Sequence, residues 1–328
     1  MTMMPPSYDD LMAARARIGD RVRHTPLLRS AVLDRAIGGT VLLKPEALQH
    51  TGSFKLRGAM NAVLSLAEAG HRAGVVAFSS GNHAQAVAYA AASVGMPATI
   101  FMPADAPAIK TAATRGWGAT VIPFDRLRDD REALARAEAE RIGAAVIPPF
   151  DHPHVIAGQA TAALELAEDA AAGGLDIDAL LVPVSGGGLI AGCTLALEHD
   201  FSSARVYALE PEGRDDLRRS LLSGQREQNG DGGSVLCDGL MSASPGELTF
   251  AINRERLAGG VVVTDDAVLR AMAFAFLHLK LVLEPSGAIG LAALLSGAFD
   301  GRDRTTAVVL SGGNVDPVIF ERALATLA

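Results

Sequence analysis

Short apolar runs alternate with longer segments of helical spacing along almost the whole chain. The short runs are closely followed by Gly, Pro, Ser or Asp, and their length predicts buried strands rather than helices. The predicted strands are residues 75–78, 98–102, 120–124, 180–184, 206–209, 261–263 and 306–310. Helices are predicted at 82–94, 131–142, 156–171, 267–281 and 317–327. This alternation predicts an α/β fold, in which crossover helices cover both faces of doubly wound, mostly parallel sheets.

Composition and charge narrow the possible partners. The chain has 328 residues, and 29 Lys+Arg against 37 Asp+Glu give it a net charge of −8. Nucleic-acid binding needs clustered cations, and here the basic residues are interleaved with acidic ones, so a DNA or RNA partner is excluded. A chain of this length is expected to form about two domains.

Neither export nor membrane insertion is expected. The N-terminal segment MTMMPPSYDD lacks a basic start followed by an apolar run, and no later stretch has the roughly 20 apolar residues of a membrane span. Cys193 and Cys237 are far apart and fit neither a disulfide framework nor a CxxC pair. We therefore expect a cytoplasmic protein without a membrane partner.

Glycine-containing junctions follow three of the predicted strands. In parallel sheets ligands bind outside the carboxyl ends of the strands, so these junctions are candidate binding segments. They are Ser79-Ser80-Gly81-Asn82-His83, Ser185-Gly186-Gly187-Gly188-Leu189 and Ser311-Gly312-Gly313-Asn314.

The second junction has the features of a phosphate site. It opens a predicted helix at 189–197, and glycines let successive backbone N–H groups approach an anion at the positive end of that helix. The alternative is a tight turn between strand and helix. The spacing matches neither GxGxxG nor GxxxxGK[ST], so a nucleotide is disfavoured.

Lys55 is one of only four lysines and lies directly before a stripe of apolar residues with helical spacing. Thr51 or Ser53 is expected to cap that helix. A cation in the first turn opposes the helix dipole, and this positive potential together with Phe54 and Leu56 should lower the pKa of Lys55 and favour its nucleophilic amine form. The alternative is an exposed lysine at a helix end.

Taken together, these segments and the run Ser53-Phe54-Lys55-Leu56-Arg57-Gly58 resemble the fold-type II pyridoxal-phosphate enzymes, within them the serine/threonine dehydratase and serine racemase branch. The similarity runs in order from about residue 24 to the C-terminus and includes the segments 238–240 and 284–288. It implies a fold like that of the tryptophan synthase β-subunit, with a small domain at 49–148 inserted into a large domain made of 1–48 and 149–328.

The resemblance also implies roles in holding pyridoxal 5′-phosphate. Lys55 would hold the cofactor through a Schiff base, Phe54 would pack near its ring, and Asn82 would hydrogen-bond its phenolic oxygen. Ser185, Gly186, Gly187, Gly188 and Leu189 would bind the phosphate, where Ser185 replaces a glycine of many relatives, and Ser311 would face the pyridine nitrogen.

Substrate-binding roles follow from the same resemblance. Ser80 matches the serine that acts as a second acid/base opposite the lysine in racemases. The loop of Ser80, Gly81, Asn82 and His83 would bind the substrate carboxylate through its backbone N–H groups. Arg131 is a candidate for binding a side-chain carboxylate, with a surface helix arginine as the alternative.

A cation site is expected at Glu210, Arg214 and Asp216, where the resemblance implies two carboxylates and the backbone carbonyl of residue 214. Oxygen ligands of this kind suit Mg²⁺ or Ca²⁺. The alternative is a solvated acidic loop, to which Arg214 brings a competing charge. His152-Pro153-His154 is expected to be a loop rather than a metal site, and 224–234 a polar surface loop.

The expected activity is β-elimination from a small 3-hydroxy amino acid, with threonine and serine as the default substrates and a 2-oxo acid and ammonia as products. Racemisation of serine and dehydration of a 3-hydroxyaspartate or another modified hydroxy amino acid are the alternatives, and a homodimer is the family expectation. No regulatory domain is expected after Ala328, which disfavours the allosterically inhibited threonine deaminases. A non-catalytic small-molecule binding protein remains as a different class, but it would have no use for a lysine of lowered pKa.

Overall fold

The larger of two β-sheets has six strands. The computed structural model describes residues 3–106, 108–201 and 203–327. In the order of the sheet the strands are β1 (Leu28–Arg29), β2 (Thr40–Pro45), β10 (Thr305–Leu310), β7 (Ala179–Pro183), β8 (Arg205–Pro211) and β9 (Gly259–Val263). Neighbouring strands are parallel, apart from the antiparallel pair of β1 and β2. The sheet therefore presents the ends of five parallel strands at one edge.

The smaller sheet has four parallel strands. Their order is β5 (Thr120–Phe124), β4 (Ala98–Pro103), β3 (Val75–Phe78) and β6 (Ala145–Val146). All four lie inside the range 49–148 that was expected to form a small domain. The domain boundaries themselves stay a prediction.

Helices cover both sheets. They are α1 (Tyr8–Ile18), α2 (Ala31–Ile37), α3 (Lys55–Glu68), α4 (Asn82–Ser93), α5 (Ala108–Gly116), α6 (Arg131–Ile142), α7 (Pro153–Ala172), α8 (Gly188–Asp200), α9 (Asp216–Ser223), α10 (Glu247–Asn253), α11 (Asp265–Phe274), α12 (Pro285–Leu295) and α13 (Pro317–Leu324). Within the described ranges, no helix is long and apolar enough to cross a membrane. The predicted α/β class is confirmed.

All seven predicted strands are present, with ends that differ by at most two residues from those expected. The strands that the pattern missed are β1, β2 and β6. Two of them are only two residues long, and β2 contains Lys44, which is fully buried. A lysine in a strand core is not an apolar signal, so hydrophobic periodicity could not find β2.

Two of the predicted boundaries are wrong. His152-Pro153-His154 is not a loop but the start of α7: the His152 ring accepts a hydrogen bond from the backbone N–H of His154 at 3.2 Å, and Pro153 takes a first-turn position that needs no N–H donor. The predicted helix 267–281 ends its α-helical part at Phe274 and continues as a π-helical turn, Ala275–Leu279. The polar segment 224–234 is a loop, as predicted.

The predicted cap of α3 is also wrong. Phe54 precedes the helix with helical backbone angles and provides no side-chain cap, so Ser53 lies outside the capping position. The backbone of Ser53 instead forms an isolated antiparallel bridge with Gly312. The hydroxyl groups of Thr51 and Ser53 are both buried and have no hydrogen-bond partner among the described residues.

Candidate active site

Lys55 is the first residue of α3. Its Nζ donates a hydrogen bond to the Pro149 carbonyl at 2.8 Å and lies 5.2 Å from the centroid of the half-buried Phe54 ring. Burial lowers the pKa of Lys55 to about 8, which is the direction expected from its sequence context. A substantial fraction of the amine is therefore unprotonated near neutral pH, as a nucleophile requires.

The glycine-rich junction packs beside this lysine. A Cβ atom at Gly186 would collide with the ring of Phe150, the residue after Pro149, and one at Gly188 would lie 2.9 Å from the Phe150 carbonyl oxygen. Gly187 has φ +91°, a conformation that side-chain-bearing residues rarely adopt. These glycines let the N-terminus of α8 pack closely on Phe150, the neighbour of the residue whose carbonyl accepts the Lys55 hydrogen bond.

Two side chains of α10 fix the orientation of the peptide groups in the glycine-rich junction. The Gly186 carbonyl accepts a hydrogen bond from Thr249 Oγ1 at 2.6 Å, and the Gly187 carbonyl accepts one from Asn253 Nδ2 at 3.3 Å. The C=O and N–H of one planar peptide point in opposite directions, so the N–H groups of Gly187 and Gly188 point away from α10. The arrangement presents donors to an anion at the start of α8.

Ser311, directly after β10, lies against the turn that carries Lys55. Its carbonyl accepts a hydrogen bond from the Phe54 N–H at 3.1 Å, next to the bridge between Ser53 and Gly312. The Ser311 hydroxyl has a weak contact of 3.5 Å with the Ser286 carbonyl. The hydroxyl therefore remains available for a stronger hydrogen bond.

Asn82, at the start of α4, is held by two partners from the other sheet's side of the molecule. Its Nδ2 donates to Glu284 Oε1 at 2.6 Å, and its Oδ1 accepts from Asn314 Nδ2 at 2.8 Å. Burial and the nearby Asp238 carboxylate raise the pKa of Glu284 to about 7. Because Nδ2 carries two hydrogens, this arrangement fixes the amide and leaves a second donor for a ligand.

The loop of Ser79 to His83, which is expected to bind the substrate carboxylate, borders a cavity of about 520 Å³ whose lining includes Ser79, Ser80 and Arg131. The Arg131 guanidinium lies 5.5 Å from the centroid of the Phe78 ring, at the end of β3. His83 donates from Nε2 to the Ile147 carbonyl at 2.9 Å, and burial together with Lys55 lowers the pKa of His83 to about 3. The imidazole is therefore neutral at physiological pH.

The expected cation segment contains two buried carboxylates. Glu210 accepts hydrogen bonds from the backbone N–H groups of Leu217 and Arg218, each at 2.8 Å, and Asp216 Oδ1 accepts one from Asn229 Nδ2 at 2.6 Å. Burial and the repulsion of Asp216 raise the pKa of Glu210 to about 8, and burial raises that of Asp216 to about 6. The second Asp216 oxygen is buried without a partner among the described residues, as is Arg214 Nε.

Several residues at the site were not found from the sequence. Pro149, Phe150, Ser242 and Glu284 had no assigned role, yet each contacts a predicted site residue; the Ser185 hydroxyl, for example, lies 2.7 Å from that of Ser242. Their partners are distant in sequence, so spacing gave no signal. Glu284 was visible only as part of a recognised segment.

The donor set fits pyridoxal phosphate. An amine of lowered pKa suits an aldehyde, the start of α8 suits a phosphate, and the unpartnered hydroxyls of Thr51 and Ser53 are buried in the segment before Lys55. In the described part of the chain, no cluster of three or more His, Cys, Asp or Glu side chains could hold a metal ion. A divalent cation at 210–216 would thus need ligands beyond such side chains.

Comparison with known proteins gives concordant matches. Residues 18–312 match the model of the family described as pyridoxal-phosphate dependent enzyme. The chain is 41% identical to serine racemase of Schizosaccharomyces pombe, with 95% of each chain covered. It is 44% identical to L-threo-3-hydroxyaspartate ammonia-lyase of a Pseudomonas species, with 94% of this chain and 96% of that protein covered. The solved structure of a threonine deaminase from T.th. superposes with a TM-score of 0.90 at 45% identity, over 95% of this chain and 99% of that one.

Proposed function

The chain belongs to the family of pyridoxal-phosphate dependent enzymes, and we propose that it is an ammonia-lyase that converts a small 3-hydroxy amino acid, threonine or serine, to a 2-oxo acid and ammonia. The observation that carries this proposal is the position of Lys55. Its amine has a pKa of about 8 and donates to the carbonyl of Pro149, whose neighbour Phe150 packs against the glycine-rich N-terminus of α8. A non-catalytic binding protein would have no use for this combination.

When bound, the cofactor withdraws electrons from an attached amino acid and makes its Cα proton acidic. Lys55 would hold it through Nζ, with Phe54 near its ring, and Asn82 would donate its free N–H to the phenolic oxygen. The backbone of Ser185 to Leu189 would bind the phosphate, and Ser311 would face the pyridine nitrogen. The hydrogen bonds of Asn82 and of the two glycine carbonyls support these roles.

Lys55 is also the proposed general base. A pKa near the working pH suits an amine that first accepts the Cα proton at Nζ and later releases it. The backbone N–H groups of the Ser80 to His83 loop, at the N-terminus of α4, would bind the substrate carboxylate. Loss of the β-hydroxyl as water and hydrolysis of the product then give the oxo acid and ammonia.

Ser311 supports elimination over transamination. A carboxylate at this position would keep the pyridine nitrogen of the bound cofactor protonated, whereas the Ser311 hydroxyl would leave it largely unprotonated, so the cofactor would withdraw electrons less strongly. We therefore expect prompt departure of a β-leaving group and poor turnover of alanine, which has none. Ser80, which lines the cavity of about 520 Å³ together with Arg131, would act as second acid/base if the protein also racemises serine.

A 3-hydroxyaspartate is the second candidate substrate, and one observation favours it. Arg131 lines the same cavity as Ser80, and its guanidinium could bind a second carboxylate of the substrate, in competition with the acidic side chains that also line this cavity, Asp129, Asp130 and Glu132. Under this proposal Arg131→Met lowers kcat/KM for 3-hydroxyaspartate far more than for serine or threonine. Arg136→Met, which removes an exposed arginine of the same helix, is the matched control.

The purified protein tests the main proposal. We expect visible absorbance from the bound cofactor, a borohydride-reducible adduct on Lys55, and ammonia release from threonine, serine or 3-hydroxyaspartate. Lys55→Ala should lose the adduct and lower the activity by at least about 10³-fold while the fold stays intact. An adduct that persists in Lys55→Ala, or rapid transamination of alanine without ammonia from any hydroxy amino acid, would contradict the assignment.

We also propose that Mg²⁺ or Ca²⁺ binds at Glu210, the carbonyl of Arg214 and Asp216. The unpartnered, buried Asp216 oxygen supports this, since a buried carboxylate oxygen needs a hydrogen bond or a cation. The two N–H donors on Glu210 leave lone pairs on its oxygens for a metal.

The remaining proposals concern organisation. We propose that 49–148 forms a small domain and that the rest forms the large one, because the four strands of the smaller sheet all lie in that range.

A homodimer is proposed through an apolar face around the π-helical turn, where Phe276, Leu277 and Val282 are each more than 40% exposed. The two buried free cysteines support a cytoplasmic location.

A further inference from the structure

One ion pair joins the two sheets at the candidate site. Lys110 Nζ lies 2.7 Å from Asp238 Oδ2. Lys110 belongs to α5, which packs on α4 and β5 of the smaller sheet. Asp238 begins a short 3₁₀ turn, Asp238–Leu240, whose Leu240 side chain is part of the core of the larger sheet.

Both partners are anchored on their own side. Lys110 is 9% exposed, and its side chain lies against the substrate loop: a Cβ atom at Gly81 would be 3.4 Å from Lys110 Cδ and 3.5 Å from Nζ. The turn after Asp238 is tied to α12 by a hydrogen bond from the Gly239 N–H to Ser286 Oγ at 3.1 Å. The pair therefore connects the proposed carboxylate loop to the side of the molecule that holds Glu284 and Ser311.

The charges around the loop make Lys110 more than a tether. The Asp238 carboxylate lies close enough to the buried Glu284 to raise the pKa of Glu284, and the nearby Lys110 ammonium lowers that pKa. Without the ammonium, these two acidic groups would lie beside the loop with no compensating cation from Lys110. Water screens part of the Asp238 charge, because that side chain is 45% exposed, but it does not screen the buried Glu284. Both carboxylates would then repel an anionic substrate carboxylate and weaken its binding.

We propose that Lys110 is a positioning residue for substrate binding, and that the Lys110–Asp238 pair holds the loop of Ser79 to His83 in place and shields the substrate carboxylate from Asp238. This inference rests on the proposed function, in which that loop binds the carboxylate. The pair does not touch the cofactor under this proposal. Its loss should therefore weaken amino-acid binding and leave cofactor binding unchanged.

The proposal predicts an asymmetry between the two partners. Lys110→Met leaves the Asp238 carboxylate next to the loop and should raise KM, and the Kd for an amino acid, by about tenfold or more, with a smaller change in kcat. Asp238→Asn removes one of the two acidic groups and keeps the Lys110 ammonium, so it should have a smaller effect. The double variant should recover part of the affinity lost in Lys110→Met, which a merely structural contact would not do.

Glycine, an amino acid without a β-leaving group, is the probe in the test. The holoenzyme is titrated with it, and the change in cofactor absorbance gives a Kd that does not depend on turnover. Lys110→Arg keeps the charge and should bind glycine within about threefold of the unmodified protein, even if Lys110→Met does not fold. Arg141→Met, which breaks an exposed pair with Glu138 on α6, is the matched control and should change nothing.

The possible failures are distinguishable. If the unmodified holoenzyme responds to glycine and all Lys110 variants keep its Kd within about twofold, or if the double variant loses the sum of both single losses, the positioning role is wrong. If the unmodified holoenzyme responds to no amino acid at all, the proposed function fails instead. A loss of cofactor absorbance in a folded Lys110→Arg would also overturn the inference, since it would place Lys110 in cofactor binding.

Discussion

Lys55 and Arg57 lie two residues apart on α3, and only Arg57 is paired with carboxylates among the described residues. Arg57 is fully buried and donates hydrogen bonds to the carboxylates of Glu46 and Glu165, at 2.6 to 2.8 Å. These two carboxylates raise the pKa of Arg57, although burial alone would lower that pKa. Lys55 has the Pro149 carbonyl as its partner, forms no ion pair within the described ranges, and has its pKa lowered to about 8.

The difference separates a structural charge from a chemical one. Lys44 joins the Arg57 network through Glu165 at 2.7 Å, so two cations and two carboxylates neutralise each other in the core. This network ties the first turns of α3 to the end of β2 and to α7. Lys55 is held in place by that fixed helix, while no carboxylate of the described residues pairs with its amine and keeps it protonated.

The largest expected effect comes from breaking the paired cation. Arg57→Met leaves two buried carboxylates facing one lysine, and should lower the free energy of unfolding by about 3–5 kcal/mol. Urea unfolding of the protein without cofactor measures it. Arg141→Met, at an exposed pair, should cost less than about 1 kcal/mol. A loss from Arg57→Met no larger than that of the control would mean that the network is not a source of stability.

The pH dependence has a defined sign. Burial acts to raise the pKa of Glu165, but the pKa is lowered overall, chiefly by the hydrogen bond with Arg57. A carboxyl group with a lowered pKa in the folded state contributes stability above its unfolded pKa, and this is lost as the pH falls through the folded value. The deficit of Arg57→Met should therefore be full at neutral pH and shrink in acid.

A second test concerns carboxylates that lack a cation. Glu210 and Asp216 are as buried as Glu46, yet no ammonium or guanidinium pairs with them in the described part of the chain. If a divalent cation fills that role, Mg²⁺ or Ca²⁺ at about 100 times its Kd should add about 2–3 kcal/mol to the free energy of unfolding. Chelator should reverse the gain, and Asp216→Asn should abolish it. The absence of any shift in thermal unfolding would make the segment an ordinary acidic turn.

The same contrast explains what the sequence could predict. Lys55 was detectable because a lysine in a first helical turn conflicts locally with the helix dipole. The network of Arg57 was not, since its partners are 11 and 108 residues away and charged residues are expected at the surface. The strand pattern predicted the sheets well, but the cap assigned to Thr51 or Ser53 was wrong, because Ser53 pairs with Gly312 and the Thr51 carbonyl with Asn314, both far along the chain.

The smallest expected effect is a gain in the free energy of unfolding, which is opposite in sign to the loss expected for Arg57→Met. Lys55→Met, like Arg57→Met, replaces a cation by an apolar side chain, but this cation is only partly buried and has no carboxylate partner among the described residues. In the protein without cofactor it should raise the free energy of unfolding at pH 7 by on the order of 1 kcal/mol, a value reduced from the full pKa shift because Lys55 is partly exposed. The folded pKa of about 8 lies below the ordinary lysine pKa of 10.5, so the folded state bears the full cost below pH 8 and progressively less as the pH rises towards 10.5. The gain should accordingly fade over that interval when urea unfolding is repeated across it. A destabilisation that does not change with pH would mean that the Lys55 ammonium is as well compensated as Arg57, and would remove the distinction between the two cations.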